Sequence, residues 1–194
     1  MILRISLSLG LVFNLFLALS PTYAATEIYK IDPKHSSVSF KIRHIVSKVQ
    51  GNFNSFSGTI HYDPSNPIKS KTNAIIEVAS IDTGVENRDN HLRGEDFFHV
   101  SKFPEMKFTT TKITKLKNDG KNAELVGKLT MHGITKPVVM DVVMNGKSGD
   151  HVGFTGTTTI NRKDFGISWN KEKDGNLILG DQVEIILEVE GIKN

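Results

Sequence analysis

The sequence predicts an all-β chain, folded as an antiparallel sandwich or barrel of about eight strands with a short helix between strands. Three observations predict it. Apolar residues recur at every second position, turn residues separate these runs at short intervals, and no long stretch carries the 3.6-residue period of a helix.

The elements follow in order. Val38, Phe40 and Ile42 alternate with Ser37, Ser39, Lys41 and Arg43. Phe56, Ile60 and Tyr62 alternate with Ser57, Thr59 and His61, and Asp63-Pro64 stops the run. Ile76 and Val78 flank Glu77, and Met106 and Phe108 lie opposite Lys107 and Thr109. Leu125, Leu129 and Met131 oppose Glu124, Lys128 and Thr130. Val138, Met140, Val142 and Met144 oppose Asp141, and Val183, Ile185, Leu187 and Val189 oppose three glutamates. Pro64-Ser65-Asn66-Pro67, Asn118-Asp119-Gly120, His132-Gly133, Asn145-Gly146 and Asp174-Gly175 supply the expected turns. The helix is expected at Asn87–Gly94, with Asn87 as N-cap and Gly94 as stop. Scattered apolar residues of the second parity, among them Ile75, Val139 and Val143, predict partial cover on the outer face.

Residues 1–24 read as a cleavable export signal. Arg4 is its one basic residue, Ile5–Leu19 is the apolar run, and Thr22-Tyr23-Ala24 places small residues before a cut between Ala24 and Ala25. Residues 25–194 are then one domain in the expected range of sizes, delivered to the periplasm. The chain of 194 residues is 38% hydrophobic and carries a net charge of only +3, so disorder and a nucleic-acid-binding basic stripe are excluded. The absence of cysteine excludes disulfides, thiolate metal sites, cysteine nucleophiles and a lipoprotein anchor. The seven histidines never fall into H-x-H or H-E-x-x-H spacing, so no metal site is expected. Neither a nucleophile elbow nor a phosphate or dinucleotide loop is present.

Several stretches, taken together and in order, resemble the YceI family of exported proteins. They are Ile31–His44, Val49–Phe53, Phe56–Ile60, Asn87–Phe98, Lys102–Pro104, Gly127–Val138 and Asn161–Trp169. The resemblance implies a lipocalin-like barrel that holds a polyisoprenoid or similar long apolar chain. Gly94 departs from it, standing where a small polar residue is expected.

The residues agree with such a ligand. A prenyl chain needs apolar walls and few polar anchors. Phe40, Ile42, Phe56, Ile60, Met106, Phe108, Met131, Met140, Met144, Ile185 and Leu187 share the parity that would line a tunnel, and ordinary core packing predicts the same set. His44 and Arg162 share parity with apolar neighbours and would meet a polar head group, or else a structural carboxylate such as Asp96 or Asp164. Arg88, Arg93 and Asp96 would stand at the mouth. No cofactor is expected beyond a bound lipid such as a polyprenyl chain or quinone. The expected partners are that lipid and a transient contact with a membrane or a lipid-delivering protein, without nucleic acid. Three functions stay open on sequence: a non-catalytic lipid carrier, a lipid- or quinone-modifying enzyme using His44, Asp96 and Arg162, and a stress-response protein with a filled barrel.

Overall fold

A computed structural model describes residues 26–117, 121–173 and 176–194. The expected export signal and the turns at Asn118-Asp119-Gly120 and Asp174-Gly175 lie outside the described residues.

The chain first runs as three bent strands. These are β1 (Glu27–Ile31) with β2 (Ser37–His44), β3 (Ser47–Phe53) with β4 (Phe56–Tyr62), and β5 (Lys71–Glu77) with the two-residue β6 (Ile81–Asp82). Helix α1 (Glu86–Arg93) follows, then the long strands β7 (Glu105–Lys117), β8 (Asn122–Met131), β9 (Ile134–Ser148) and β10 (His151–Asn161). A small hairpin of β11 (Glu172–Lys173) and β12 (Asn176–Leu177) precedes β13 (Leu179–Lys193).

Antiparallel pairing in the order β1-β4-β5-β7-β8-β9-β10-β13, with β13 returning to β1, closes an eight-stranded barrel, as the alternation predicts. Strand β13 spans the seam alone: its first part pairs with β2 and its last residues pair with β1. On the half nearer α1, β2, β3 and β6 carry the wall upward, and among the described residues β6 pairs only with β3. The hydrogen-bonded ring is therefore open between β6 and β7 at that end. Helix α1 and residues 94–104 cover the gap.

Two features depart from the expected elements. Asn145-Gly146 is no turn: β9 runs through it, and the shifted register opposite Gly153 and Phe154 makes it a bulge. The chain reverses at Gly149 instead, where φ is 56°. Helix α1 starts at Glu86, because Asp89 rather than Asn87 holds its entry. The buried Asp89 accepts hydrogen bonds from the Thr83 amide (2.9 Å) and the Thr83 hydroxyl. The expected turn at His132-Gly133 is present, with φ of 51° and 73°, both in the left-handed region that a two-residue hairpin of type I′ requires.

Inward parity makes two apolar clusters. The larger lies at the α1 end around Phe53, Ile76, Ile81, Phe97, Met131 and Phe165. The smaller is Tyr29, Ile60 and Val152 at the opposite end. Outer-face Ile75, Val139 and Val143 are exposed, so the expected cover over them is missing there.

Candidate functional site: an apolar tunnel

The space between the two clusters is not filled. A cavity of about 680 Å³ runs inside the barrel, within the range of ligand pockets. Phe40, Ile42, Phe56, Ile60, Met106, Phe108, Met131, Met140, Met144, Ile185 and Leu187 all line it. They converge because paired strands put inward residues side by side, for example Phe40 opposite Ile185 and Phe154 opposite Met144.

Glycines keep the space open. Phe40 pairs with Gly51 on β3, and a Cβ at Gly51 would meet the Phe40 ring at 2.5 Å. A Cβ at Gly127 on β8 would meet the Phe108 ring at 2.3 Å, and one at Gly156 on β10 would meet Met140 Sδ at 2.8 Å. Each large side chain lies down over a glycine instead of standing in the lumen.

The α1 end has an aromatic cap. Phe97 and Trp169 pack with ring centroids 5.0 Å apart, and the His91 ring meets both edge-on. Lining residues Val85, Asn87 and His91 are exposed, so the cavity reaches solvent here. His44 lines the cavity, half-buried at the end of β2, and none of the described residues bonds its ring. Arg88 lines it too, with Nε donating to the Thr83 hydroxyl (2.7 Å) and Nη2 to the Thr83 carbonyl (2.8 Å).

Arg162 borders the same space but is 3% exposed and committed to protein. Its Nε donates to the Gly180 carbonyl at 2.9 Å, and Nη1 to the Ile167 and Trp169 carbonyls at 2.8 Å each. The carboxylate beside it is Asp181, at 3.4 Å, rather than Asp96 or Asp164. Burial pulls its guanidinium below the usual value while Asp181 opposes the shift. Arg93 and Asp96 stand outside the cavity. Arg93 ties α1 to the unpaired edge of β6, donating to the carbonyls of Ala79 (2.9 Å) and Ile81 (2.7 Å). Asp96 is exposed and bonds His91 Nε2 at 2.9 Å. His44, Asp96 and Arg162 therefore do not form one acid–base set.

The opposite end divides into a plug and an opening. Tyr29, 0% exposed, packs on Ile60 and Val152, and its hydroxyl donates to Glu27 (2.7 Å). Lys147 (2.7 Å) and Lys193 (2.9 Å) also donate to Glu27, and chiefly the Lys147 hydrogen bond lowers the Glu27 carboxyl to about 2. Burial raises the Tyr29 hydroxyl. Beside this plug the cavity continues between the β4–β5 connection and the β7–β8 hairpin, past Ile113, Leu116 and Ala123. Exposed Lys71 and Lys121 stand at this mouth. Neither makes an ion pair or side-chain hydrogen bond among the described residues.

Strand alternation does not find these two lysines, which stand at or next to strand ends where period two gives no direction. Nor does it single out Phe97 and Phe98, an adjacent apolar pair outside the strands, for which the polar flanks Glu95-Asp96 and His99 are the signal.

Comparison with known proteins agrees with this architecture. A UPF0312 protein of Yersinia enterocolitica is 36% identical, over 95% of this chain and 96% of its own length. The crystal structure of Burkholderia cenocepacia BcnA superposes with a TM-score of 0.75 at 26% identity, covering 82% of this chain and 98% of that one. A polyisoprenoid-binding domain from Saccharophagus degradans has the same fold, with a TM-score of 0.67 at 13% identity over 86% of this chain and 98% of its own. The family model described as the YceI-like domain matches residues 29–191. With the barrel, the cavity and these likenesses in hand, the chain belongs to the YceI-like family.

Proposed function

We propose that this protein binds and carries a long-chain lipid of the polyisoprenoid class, held in the barrel, without performing chemistry on it. The observation that carries the reading is the apolar cavity, whose lining runs through the barrel from exposed residues beside α1 to exposed Lys71 and Lys121 at the opposite end. The Saccharophagus domain of the same fold is described as polyisoprenoid-binding.

Magnitudes fit a slender chain. At roughly 0.8 kcal/mol per buried CH₂, a chain of about fifteen carbons gains about 12 kcal/mol. Association costs about 4–15 kcal/mol, so chain length decides between no binding and micromolar affinity or better. The carrier reading is favoured over an enzyme because Arg162 is committed to three main-chain carbonyls and Asp181, and Asp96 lies outside the cavity. It is favoured over a filled barrel by the cavity itself.

The signal-like residues 1–24 and this cargo together support export to the periplasm as a single carrier domain. There the exposed Ile45, Val46 and Val85 at the α1 end would touch a membrane during transfer. Mass spectrometry of an organic extract of the natively exported protein tests the reading. A stoichiometric prenyl or other long-chain lipid, recovered chemically unchanged, is the expected result. An empty barrel that also fails to take up prenyl alcohols of increasing length would overturn it.

A further inference from the structure

On the outer face of the barrel, away from the tunnel, four metal-ligating side chains gather from three chain segments. Asp32 and His35 lie in the β1–β2 turn, Glu190 near the end of β13, and His151 at the start of β10. One donor atom each from Asp32, His35 and Glu190 lie within 4.8 Å of one another. His35 Nδ1 is 2.6 Å from Asp32 Oδ2, and His151 Nδ1 is 2.7 Å from Glu190 Oε1.

The backbone holds this arrangement in place. The Asp32 amide donates to the Glu190 carbonyl (2.8 Å), and the Glu190 amide donates to Ser36 Oγ (2.9 Å). The Lys34 amide occupies Asp32 Oδ1 (3.0 Å), leaving Oδ2 directed at the cluster. The turn is thus registered on β13 before any ligand arrives, which lowers the ordering cost of binding. Asp32 is largely buried, with its side chain 12% exposed, while the His35 side chain is 66% exposed and free to adjust.

We propose that Asp32, His35 and Glu190 form a site for a divalent first-row transition ion of the zinc class, with His151 as a positioning residue for Glu190. An imidazole nitrogen with two carboxylates suits Zn²⁺, Cu²⁺ or Ni²⁺, whereas Ca²⁺ and Mg²⁺ demand more oxygen donors. The ion takes the place of the proton between His35 and Asp32, and water completes the coordination. Lys34 is the neighbouring charge that opposes binding. Bound metal would clamp the β1–β2 turn to β13, where β13 passes from one strand partner to the other.

Calorimetric titration of the untagged exported protein with Zn²⁺, in a non-chelating buffer, tests the site. The expected result is saturable binding of one ion, with no comparable heat from Ca²⁺ or Mg²⁺. His35→Ala should weaken it by about tenfold or more, and His151→Gln by a smaller factor. His61→Ala, a histidine outside the cluster, should leave it unchanged. Co²⁺ should give a visible absorption band that His35→Ala abolishes. Zn²⁺ binding that His35→Ala leaves intact, Ca²⁺ binding as tight as Zn²⁺, or no binding at millimolar Zn²⁺ would each overturn the proposal.

Discussion

At the α1 end, Arg162 is shut from water and sends its donors to three main-chain carbonyls. At the opposite end, Lys147 and Lys193 meet Glu27 through side chains that stay partly wet. Both clusters hold a barrel end together, yet their energetics differ. A buried cation with fixed carbonyl partners cannot be removed without leaving those carbonyls unpaired. A carboxylate held by two partly exposed lysines lets those lysines exchange with water at small cost. The rigid end organises the aromatic cap, and the wet end leaves room for the second mouth. A positive charge on an inward parity is therefore no sign of ligand contact by itself. Whether its donors are spent on protein decides the matter.

Arg162→Ala should produce the largest effect, a loss of roughly 3–5 kcal/mol, because the carbonyls it satisfies become buried and unpaired. Denaturant unfolding measures it, and prenyl phosphate and prenyl alcohol should lose affinity equally in any folded fraction. A stable variant that loses only the phosphate would restore Arg162 as a head-group ligand and erase the contrast between the two ends.

Glu27→Gln should cost less, about 1–2 kcal/mol once the partial exposure of Lys147 and Lys193 is allowed for. The sign with pH follows from the lowered carboxyl. Its folded value of about 2 lies below the ordinary 4.5, so the stabilisation is complete above the ordinary value and disappears as pH falls through about 2. Urea midpoints of wild type and variant should therefore converge between those two values. A gap that persists at the acid end would mean that Glu27 acts by shape rather than charge.

These two positions also mark what was legible in the sequence. Period two identifies inward residues correctly from Phe40 to Leu187, because a closed barrel obliges each strand to have one inner face. It fails at β1, where Glu27 and Tyr29 point inward and a polar residue breaks the apolar pattern. It cannot show the partners of Arg162, which are the carbonyls of Ile167 and Trp169, brought in by a loop of irregular structure, and that of Gly180 at the start of β13. Nor can it distinguish a tunnel from a packed core, since the same side chains serve both.

The mouths can be compared by charge. Exchanging Lys71 and Lys121 together for Gln should weaken a prenyl phosphate by about tenfold, in keeping with exposed charge-assisted hydrogen bonds, and spare the alcohol. His44→Ala at the other mouth is the matching experiment. Whichever variant separates phosphate from alcohol in parallel titrations identifies the end where an anionic head group rests. Equal affinities in all variants would show that the head group stays in solvent.

The smallest expected effect concerns exchange rather than affinity. Arg93 bridges α1 to the edge of β6 beside the gap in the ring. Arg93→Ala should speed the release of a fluorescent prenyl chain by a few-fold in stopped flow, with most of any affinity change in the off-rate. An unchanged off-rate would direct traffic to the lysine mouth.

The glycines beneath Phe40, Phe108 and Met140 give the lumen an adjustable gauge. The bore there is set by three missing methyl groups; an added Cβ at Gly51 or Gly156 would meet only side chains, whereas at Gly127 it would also meet the Thr109 carbonyl at 2.9 Å and push on the strand. A lumen wide enough for a thick, branched chain could be narrowed to one for a thin, straight chain by single codon changes at Gly51 or Gly156. The outer surface, the strand register and both mouths would stay as they are. The gauge of such a barrel can thus drift independently of its fold, written in the residues that contribute no side chain.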